Sequence, residues 1–452
     1  MNAYLDRIAG FVASADDRAL PSSVIDYTKI VLLDTLGVIL TGSKQSEMAN
    51  LSRFLLSMGK PEASTVFRLG FPRTEPSTAA LINATASAFP VLDESHPATG
   101  HHAVQIVPSA LALAESRSIS GKRLLESIVL GYEMAVRIAS ACRRRKGFHP
   151  HGHTGIVGTA VACAKLMGLD QQKIKETINA SASLALTSSM KAQLEGATVA
   201  NLYAGLSACV GMLAPQLVED GFMGPSDGLK ETFGDLIGQD FSPDELVEGL
   251  GETYQITGNT LRVYACCGHT HPAVDGVRAI LEEKPLSDEE IARVDVFTYQ
   301  EAASLTNRHP SNPQSAKFSI PFTVAAMVVR GSCGLDSFQP HVVADQGIHR
   351  LAERVHVFED PTLTQRWPED CSARVVVTLE GGETLTEFCE NSRGKRKNPL
   401  SARDMEEKFK GLVANFFPAG NMPRVVEAIK SLDKFDNIRD FTTLLRDLSL
   451  KV

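Results

Sequence analysis

Eight of the twelve histidines fall in three short segments: His96, His101 and His102; His149, His151 and His153; and His269 and His271. Imidazole changes charge near neutral pH, so such groups supply proton transfer, and neutral rings also ligate metals. The first segment, Asp93-Glu94-Ser95-His96-Pro97-Ala98-Thr99-Gly100-His101-His102, places histidines beside carboxylates and hydroxyls between two helices. That mixture can move a proton and donate to carboxylate oxygens, although a polar loop that merely caps helices has the same composition. The second, Arg143-Arg-Arg-Lys-Gly-Phe-His149-Pro-His151-Gly-His153-Thr-Gly155, runs straight into a helix start, where backbone N–H groups favour an anion. Its basic run reads as a solvated helix end. In an extended chain, His149, His151 and His153 would share one side.

The third segment is Arg262-Val-Tyr-Ala-Cys266-Cys267-Gly-His269-Thr-His271-Pro272. Its Cys and His side chains could hold zinc, but their spacing matches no standard zinc module. Arg262 could instead clamp a substrate carboxylate through two parallel hydrogen bonds.

Two kinds of element must position these segments. From Ser22 to about Asp240 the apolar residues recur at helical spacing, giving helices over Ala103–Glu115, Gly121–Cys142, Gly155–Leu169, Gln172–Ala185 and Val199–Val218. Several are rich in Ala and Gly, so their backbones can approach closely. Beyond Thr260 the pattern changes to short strands at Ala292–Tyr299, Arg354–Phe358, Ala373–Leu379 and Thr384–Phe388, with a hairpin turn at Glu380-Gly-Gly-Glu383. Helices at Ala273–Glu283 and Phe322–Val329 lie between them, and helix returns from Ser401.

A chain of 452 residues is too long for one core, and 43% hydrophobic with 22% charged residues is ordinary globular composition. The net charge of -8 gives no general attraction to nucleic acid or an anionic membrane, so an anionic substrate needs a local basic pocket. The opening Met1-Asn-Ala-Tyr-Leu-Asp-Arg lacks a signal-peptide pattern, and the apolar run Ile30–Leu40 is short and interrupted by Asp34, so a cytoplasmic location is expected. Eight cysteines in a chain this long read as reduced thiols. No nucleotide-binding glycine loop is present, and Gly224-Pro-Ser-Asp-Gly228 matches a nucleophile elbow in letters only, because it follows a helix.

Taken in order and spacing, the segments resemble the MmgE/PrpD family, which includes 2-methylcitrate dehydratase, cis-aconitate decarboxylase and iminodisuccinate epimerase. The resemblance runs through Val31-Leu-Leu-Asp34-Thr-Leu-Gly37, Gly147-Phe-His-Pro150, Asp220-Gly-Phe-Met-Gly-Pro225, Cys267 to Asp275, Lys317-Phe-Ser319 and Glu406-Glu-Lys-Phe409. It implies a mainly α protein with an α+β second domain. An all-helical domain would be built from both chain ends (residues 1–262 and 401–452), and a lid of helices and a small antiparallel sheet from residues 263–400. It also implies a homodimer and a cofactor-free, metal-free site between the domains for a small-molecule carboxylate.

The catalytic positions that the resemblance assigns fall on His149, on either His101 or His102, on Ser95 in place of Thr, and on Arg262 in place of Lys. Three positions depart: Val91 stands for the first Asp of a D-x-D-D-T pattern, with Asp93 nearby; Ala200 stands for a Lys ahead of Tyr203-Ala-Gly205; and Phe322 stands for a Tyr. The reading is therefore a cofactor-independent lyase, 2-methylcitrate dehydratase-like, that abstracts a proton next to a carboxylate. His149, His101 or His102 and Asp93 are the catalytic candidates; Ser95, Arg262, Tyr203, His271 and Phe322 are the substrate-binding ones. Alternatives are an isomerase or epimerase of a dicarboxylate, a metal-dependent lyase or hydrolase using the histidine clusters, and a non-catalytic carboxylate-binding protein.

Overall fold

The computed structural model describes residues 3–15, 20–59, 63–97 and 99–450; Ala98 of the first histidine segment and the first two residues of the opening segment lie outside these. The helices that matter for the site are α1 (Ser22–Gly42), α2 (Pro76–Ala88), α3 (Ala103–Ser116), α4 (Gly121–Ser140), α5 (Thr154–Met167) and α6 (Leu202–Glu219). They pack pairwise, α2 on α1 and α3, α5 on α3 and α4, and α6 on α2 and α5. The small residues do what their pattern suggests. A Cβ on Gly131 of α4 would stand 2.5 Å from the Gly158 carbonyl oxygen of α5, and one on Gly158 would stand 2.6 Å from that of Gly131, so these helices touch backbone to backbone.

The basic run is the first departure. The helix of residue 121 stops at Ser140, and Cys142–Arg144 forms strand β1, paired antiparallel with β2 (Gly238–Phe241). Arg144 is thereby half-buried rather than solvated on a helix end.

In the following part, α7 (His271–Glu283) and α8 (Ile320–Arg330) pack on a sheet of β3 (Ile291–Thr298), β4 (Val355–Glu359), β5 (Ala373–Leu379) and β6 (Thr384–Cys389) in the order β4-β3-β5-β6. The expectation of an antiparallel sheet is corrected here: β3 pairs antiparallel with β5 and β5 with β6, but β3 and β4 are parallel, Val294 opposite Val355. The cause is the helical stretch between β3 and β4, which crosses over and returns the chain in the same direction. The β5–β6 turn is the expected hairpin, closed by the Leu379 N–H on the Glu383 carbonyl.

The C-terminal helices α9 (Ala402–Val413), α10 (Met422–Lys430) and α11 (Ile438–Leu448) return to the helical part, α9 and α10 on α1 and α11 on α3. Buried Asp34 of α1 and half-buried Lys408 of α9 form an ion pair at 2.6 Å, joining two of the resembling segments from opposite chain ends. Lys408 also donates to the Leu92 carbonyl at 3.3 Å, one residue before Asp93.

Candidate active site

The three histidine segments meet in one cleft of about 1950 Å³, walled by the helical part and by the loop before α7. Two local devices bring them together. Ser95 and Thr260 exchange backbone hydrogen bonds as an antiparallel bridge (3.0 and 2.6 Å), and two residues away on each side that register sets Asp93 opposite Arg262. Gly100, at φ 130°, lies against Pro150, where a Cβ would come within 2.7 Å of the proline Cβ, so only glycine lets the first loop touch the second.

Arg262 and Asp93 are both buried, with Nη1 3.3 Å from Oδ1. The same Nη1 donates to the Val91 carbonyl at 3.1 Å, and Val91 holds a φ of 55°, a conformation costly for a β-branched residue. Asp93 Oδ2 lies 2.7 Å from His101 Nδ1, which is also 2.8 Å from the Glu94 carbonyl. Two acceptors at Nδ1 place the ring hydrogen there, so His101 Nε2 carries a lone pair, met by Arg262 Nη2 at 3.2 Å. Burial alone would raise the Asp93 carboxyl, but His101 and Arg262 outweigh it and hold the group well below the usual carboxylate range.

His149 has the opposite tautomer. Its Nδ1 accepts the His151 backbone N–H at 3.1 Å, which leaves the hydrogen of the neutral ring on Nε2. The His151 ring stands between the two, 4.9 Å from that of His101 and 4.7 Å from that of His149, both edge-on. Burial and the neighbouring charges keep His149 well below its ordinary pKa and push His151 down to about 3, so both rings are neutral. The segment is not extended as its spacing suggested. Gly147 and Gly152 have positive φ, and His153 turns away towards Ser188 Oγ, 3.1 Å from its Nε2.

Asp93, Ser95, His101, His149 and Arg262 thus converge on the cleft. The other candidates do not line it. His102 is buried at the start of α3, its Nε2 3.2 Å from Thr99 Oγ1 and its ring against Tyr132. Of the two histidines that the sequence could not separate, His101 is the one in the site. Phe322 is fully buried in α8, packed on Phe338 and His349, because Ser319 caps that helix and turns its first turn into the core. His271, the first residue of α7, is fully buried against Tyr264. Tyr203 stands behind the site, its hydroxyl accepting from the Ser189 N–H at 3.3 Å and its ring 6.0 Å from that of His149. Gly224–Gly228 lies away from the cleft, packed on Asn179.

Cleft residues missed in the sequence include His151, His269, Arg144 and Lys395. The histidines lay inside segments already singled out. Arg144 was hidden in a run of like charges, and it has no hydrogen-bond or ion-pair partner for its side chain among the described residues. Ligand atoms of Asp93, His101 and His151 lie within 4.8 Å of one another, a spacing that can hold a metal ion. Arg262, in contact with two of these three, already supplies positive charge at that point.

The MmgE/PrpD N-terminal domain model matches residues 6–244 and the MmgE/PrpD C-terminal domain model residues 264–434. Cis-aconitate decarboxylase of Homo sapiens is 25% identical, covering 94% of this chain and 91% of its own. Cis-aconitate decarboxylase of Aspergillus terreus is 23% identical, covering 94% and 92%. A cis-aconitate decarboxylase-like protein of Aspergillus oryzae is 23% identical, covering 97% and 96%.

Proposed function

The chain belongs to the MmgE/PrpD family and is a lyase, and from that premise we propose that it eliminates water from a citrate-type tricarboxylate without a cofactor. The observation that carries this reading is the pair of opposite tautomers at His101 and His149. Elimination needs a base for the carbon-bound proton and an acid for the departing hydroxyl. The substrate carboxylate draws Arg262 Nη2 off His101 Nε2, which then takes the proton from the carbon next to that carboxylate, and the electron pair of the broken C–H bond moves onto the carboxylate, whose oxygens Arg262 holds. Asp93 steadies the imidazolium formed. The C–O bond then breaks as the hydroxyl takes the His149 Nε2 hydrogen, leaving an alkene and water. Ser95 and Arg144 orient the remaining carboxylates.

In this reading residues 1–262 with 401–452 form the body and residues 263–400 the lid. The unit is a homodimer. Leu206 and Leu213 are exposed two turns apart along the outer face of α6, with Val199 just before that helix and Phe222 and Met223 just beyond it, an apolar seam suited to a second copy. Leu206→Glu with Leu213→Glu is expected to convert a dimer to a monomer in light scattering; a monomeric parent at micromolar concentration overturns the seam.

The function is tested by incubating the protein in deuterated buffer with citrate, 2-methylcitrate, cis-aconitate and aminodicarboxylates while following proton NMR. A new vinyl signal from a hydroxylated substrate supports dehydration. Carbon dioxide release from cis-aconitate would replace it with decarboxylation. A second reading, epimerisation of a dicarboxylate, is favoured by Phe322, which leaves no phenol at that position and lies outside the cleft; deuterium incorporation without net conversion would establish it.

A further inference from the structure

One cleft histidine that the chemistry above does not use, His269, is held by a buried phenol. His269 lies on the loop before α7, half-buried, and lines the cleft with Arg262 and Lys395. Its Nδ1 is 2.7 Å from the hydroxyl of Tyr299, a fully buried residue that directly follows β3. Cys371 lies against the same hydroxyl, and Lys395 Nζ is 3.4 Å from Cys371 Sγ.

The direction of this chain follows from what each group can do. An ammonium only donates, so Cys371 accepts from Lys395, and its own S–H goes to the Pro368 carbonyl at 3.9 Å. A phenol is a stronger acid than a neutral imidazole N–H, and an imidazole nitrogen is a stronger acceptor than a phenol oxygen. Tyr299 therefore donates to His269 Nδ1, and the ring hydrogen sits on Nε2, the nitrogen for which no protein partner is found among the described residues.

We propose that His269, fixed by Tyr299, is a third catalytic imidazole that gives an Nε2–H hydrogen bond to the substrate carboxylate oxygen on which charge collects after proton abstraction. It supplies from the sheet-containing side a donor of the kind that Phe322 does not provide. No bond to hydrogen breaks at His269: the electron pair of the C–H bond that His101 breaks collects on the carboxylate, the hydrogen bond shortens, and the pair returns to carbon as the leaving group departs. Burial, aided by Lys395 and Arg262, holds the ring down at about pKa 3, so it remains a neutral donor throughout the working range.

This inference rests on the tricarboxylate reading above, and the test separates the two. His269→Ala is expected to lower kcat by about 10²–10³-fold with KM within about threefold, the effect of removing one donor from a developing oxyanion. His269→Gln, which keeps an N–H near the Nε2 position, is expected to recover at least about tenfold of that loss. Tyr299 is a positioning residue. In full-length protein labelled with 15N-histidine, long-range 1H–15N NMR is expected to show His269 as the Nε2–H tautomer, and Tyr299→Phe to mix the two tautomers. An Nδ1–H tautomer in the parent, or a His269→Ala enzyme within threefold of the parent kcat, overturns the proposal. If the parent neither converts nor exchanges citrate, 2-methylcitrate or cis-aconitate, the functional reading fails, and the tautomer measurement still decides for or against the fixed donor.

Discussion

The backbone N–H of His151 donates to Nδ1 of His149 over 3.1 Å, and this bond decides which ring nitrogen of His149 carries hydrogen. His149 is a donor at Nε2, whereas His101, with Asp93 and the Glu94 carbonyl both at Nδ1, is an acceptor at Nε2. His149→Gln, which retains a donor amide, should therefore keep more activity than His149→Ala. The expected losses are about tenfold and about 10²–10⁴-fold in kcat, the range for one acid or base group. Steady-state kinetics of the two variants checks this, and equal losses would show that donation is not its role.

Asp93→Asn removes the charge that holds the hydrogen on His101 Nδ1 and steadies the imidazolium. Turnover should fall about 10²–10⁴-fold. Substrate affinity, measured by calorimetry with citrate, should change far less, because Arg262 remains.

Arg144 is a half-buried cation on β1 with no counter-ion among the described residues, electrostatically coupled to His149 and His153. Arg144→Met should raise KM about tenfold or more, the loss of one charged hydrogen bond, while kcat changes little. The parent KM should rise with added salt, and more weakly in the variant. A KM unchanged by the substitution would return Arg144 to a structural role.

Lys408→Met strands Asp34 in the core, and breaking a buried pair on one side costs about 3–5 kcal/mol. The double variant Asp34→Leu with Lys408→Met should recover most of that stability in denaturant titration. It should not recover activity, because Lys408 also holds the Leu92 carbonyl next to Asp93.

Seven of the eight clustered histidines, His96, His102, His149, His151, His153, His269 and His271, have pKa values pushed down mainly by burial. The unfolded chain binds protons at these sites below about pH 6.5 while the native chain does not, so stability present above that pH is lost as pH falls. Each site contributes up to about 1.4 kcal/mol per pH unit. Glu94, raised to about 7 by burial, acts in the opposite direction, as do Asp34 and Glu133, also raised chiefly by burial. The denaturation midpoint should therefore drop steeply between pH 6.5 and 5, and a flat profile would contradict the buried neutral rings.

Much of this protein is legible in its sequence. Apolar spacing located the helices and strands because periodicity is a local property, and the hairpin at Glu380–Glu383 followed from its glycines. Asp93, Ser95, His101, His149 and Arg262 stood in segments whose composition already signalled proton transfer and carboxylate binding. The parallel β3–β4 pairing was not legible, since a crossover and a hairpin differ in where the chain returns and not in the strands themselves.

What the sequence by itself determined was the inventory: which groups can carry a proton, which segments are helical, and that an acidic chain needs a local basic site. Only the tertiary structure decided which of two adjacent histidines faces the cleft, that Phe322 and His271 belong to the core, and that Arg144 does not belong to a solvated run. It also joined Asp34 to Lys408 and fixed opposite tautomers on His101 and His149. Those outcomes depend on hydrogen bonds and packing between segments far apart in the chain, and the spacing of residues along one segment carries no information about a partner on another.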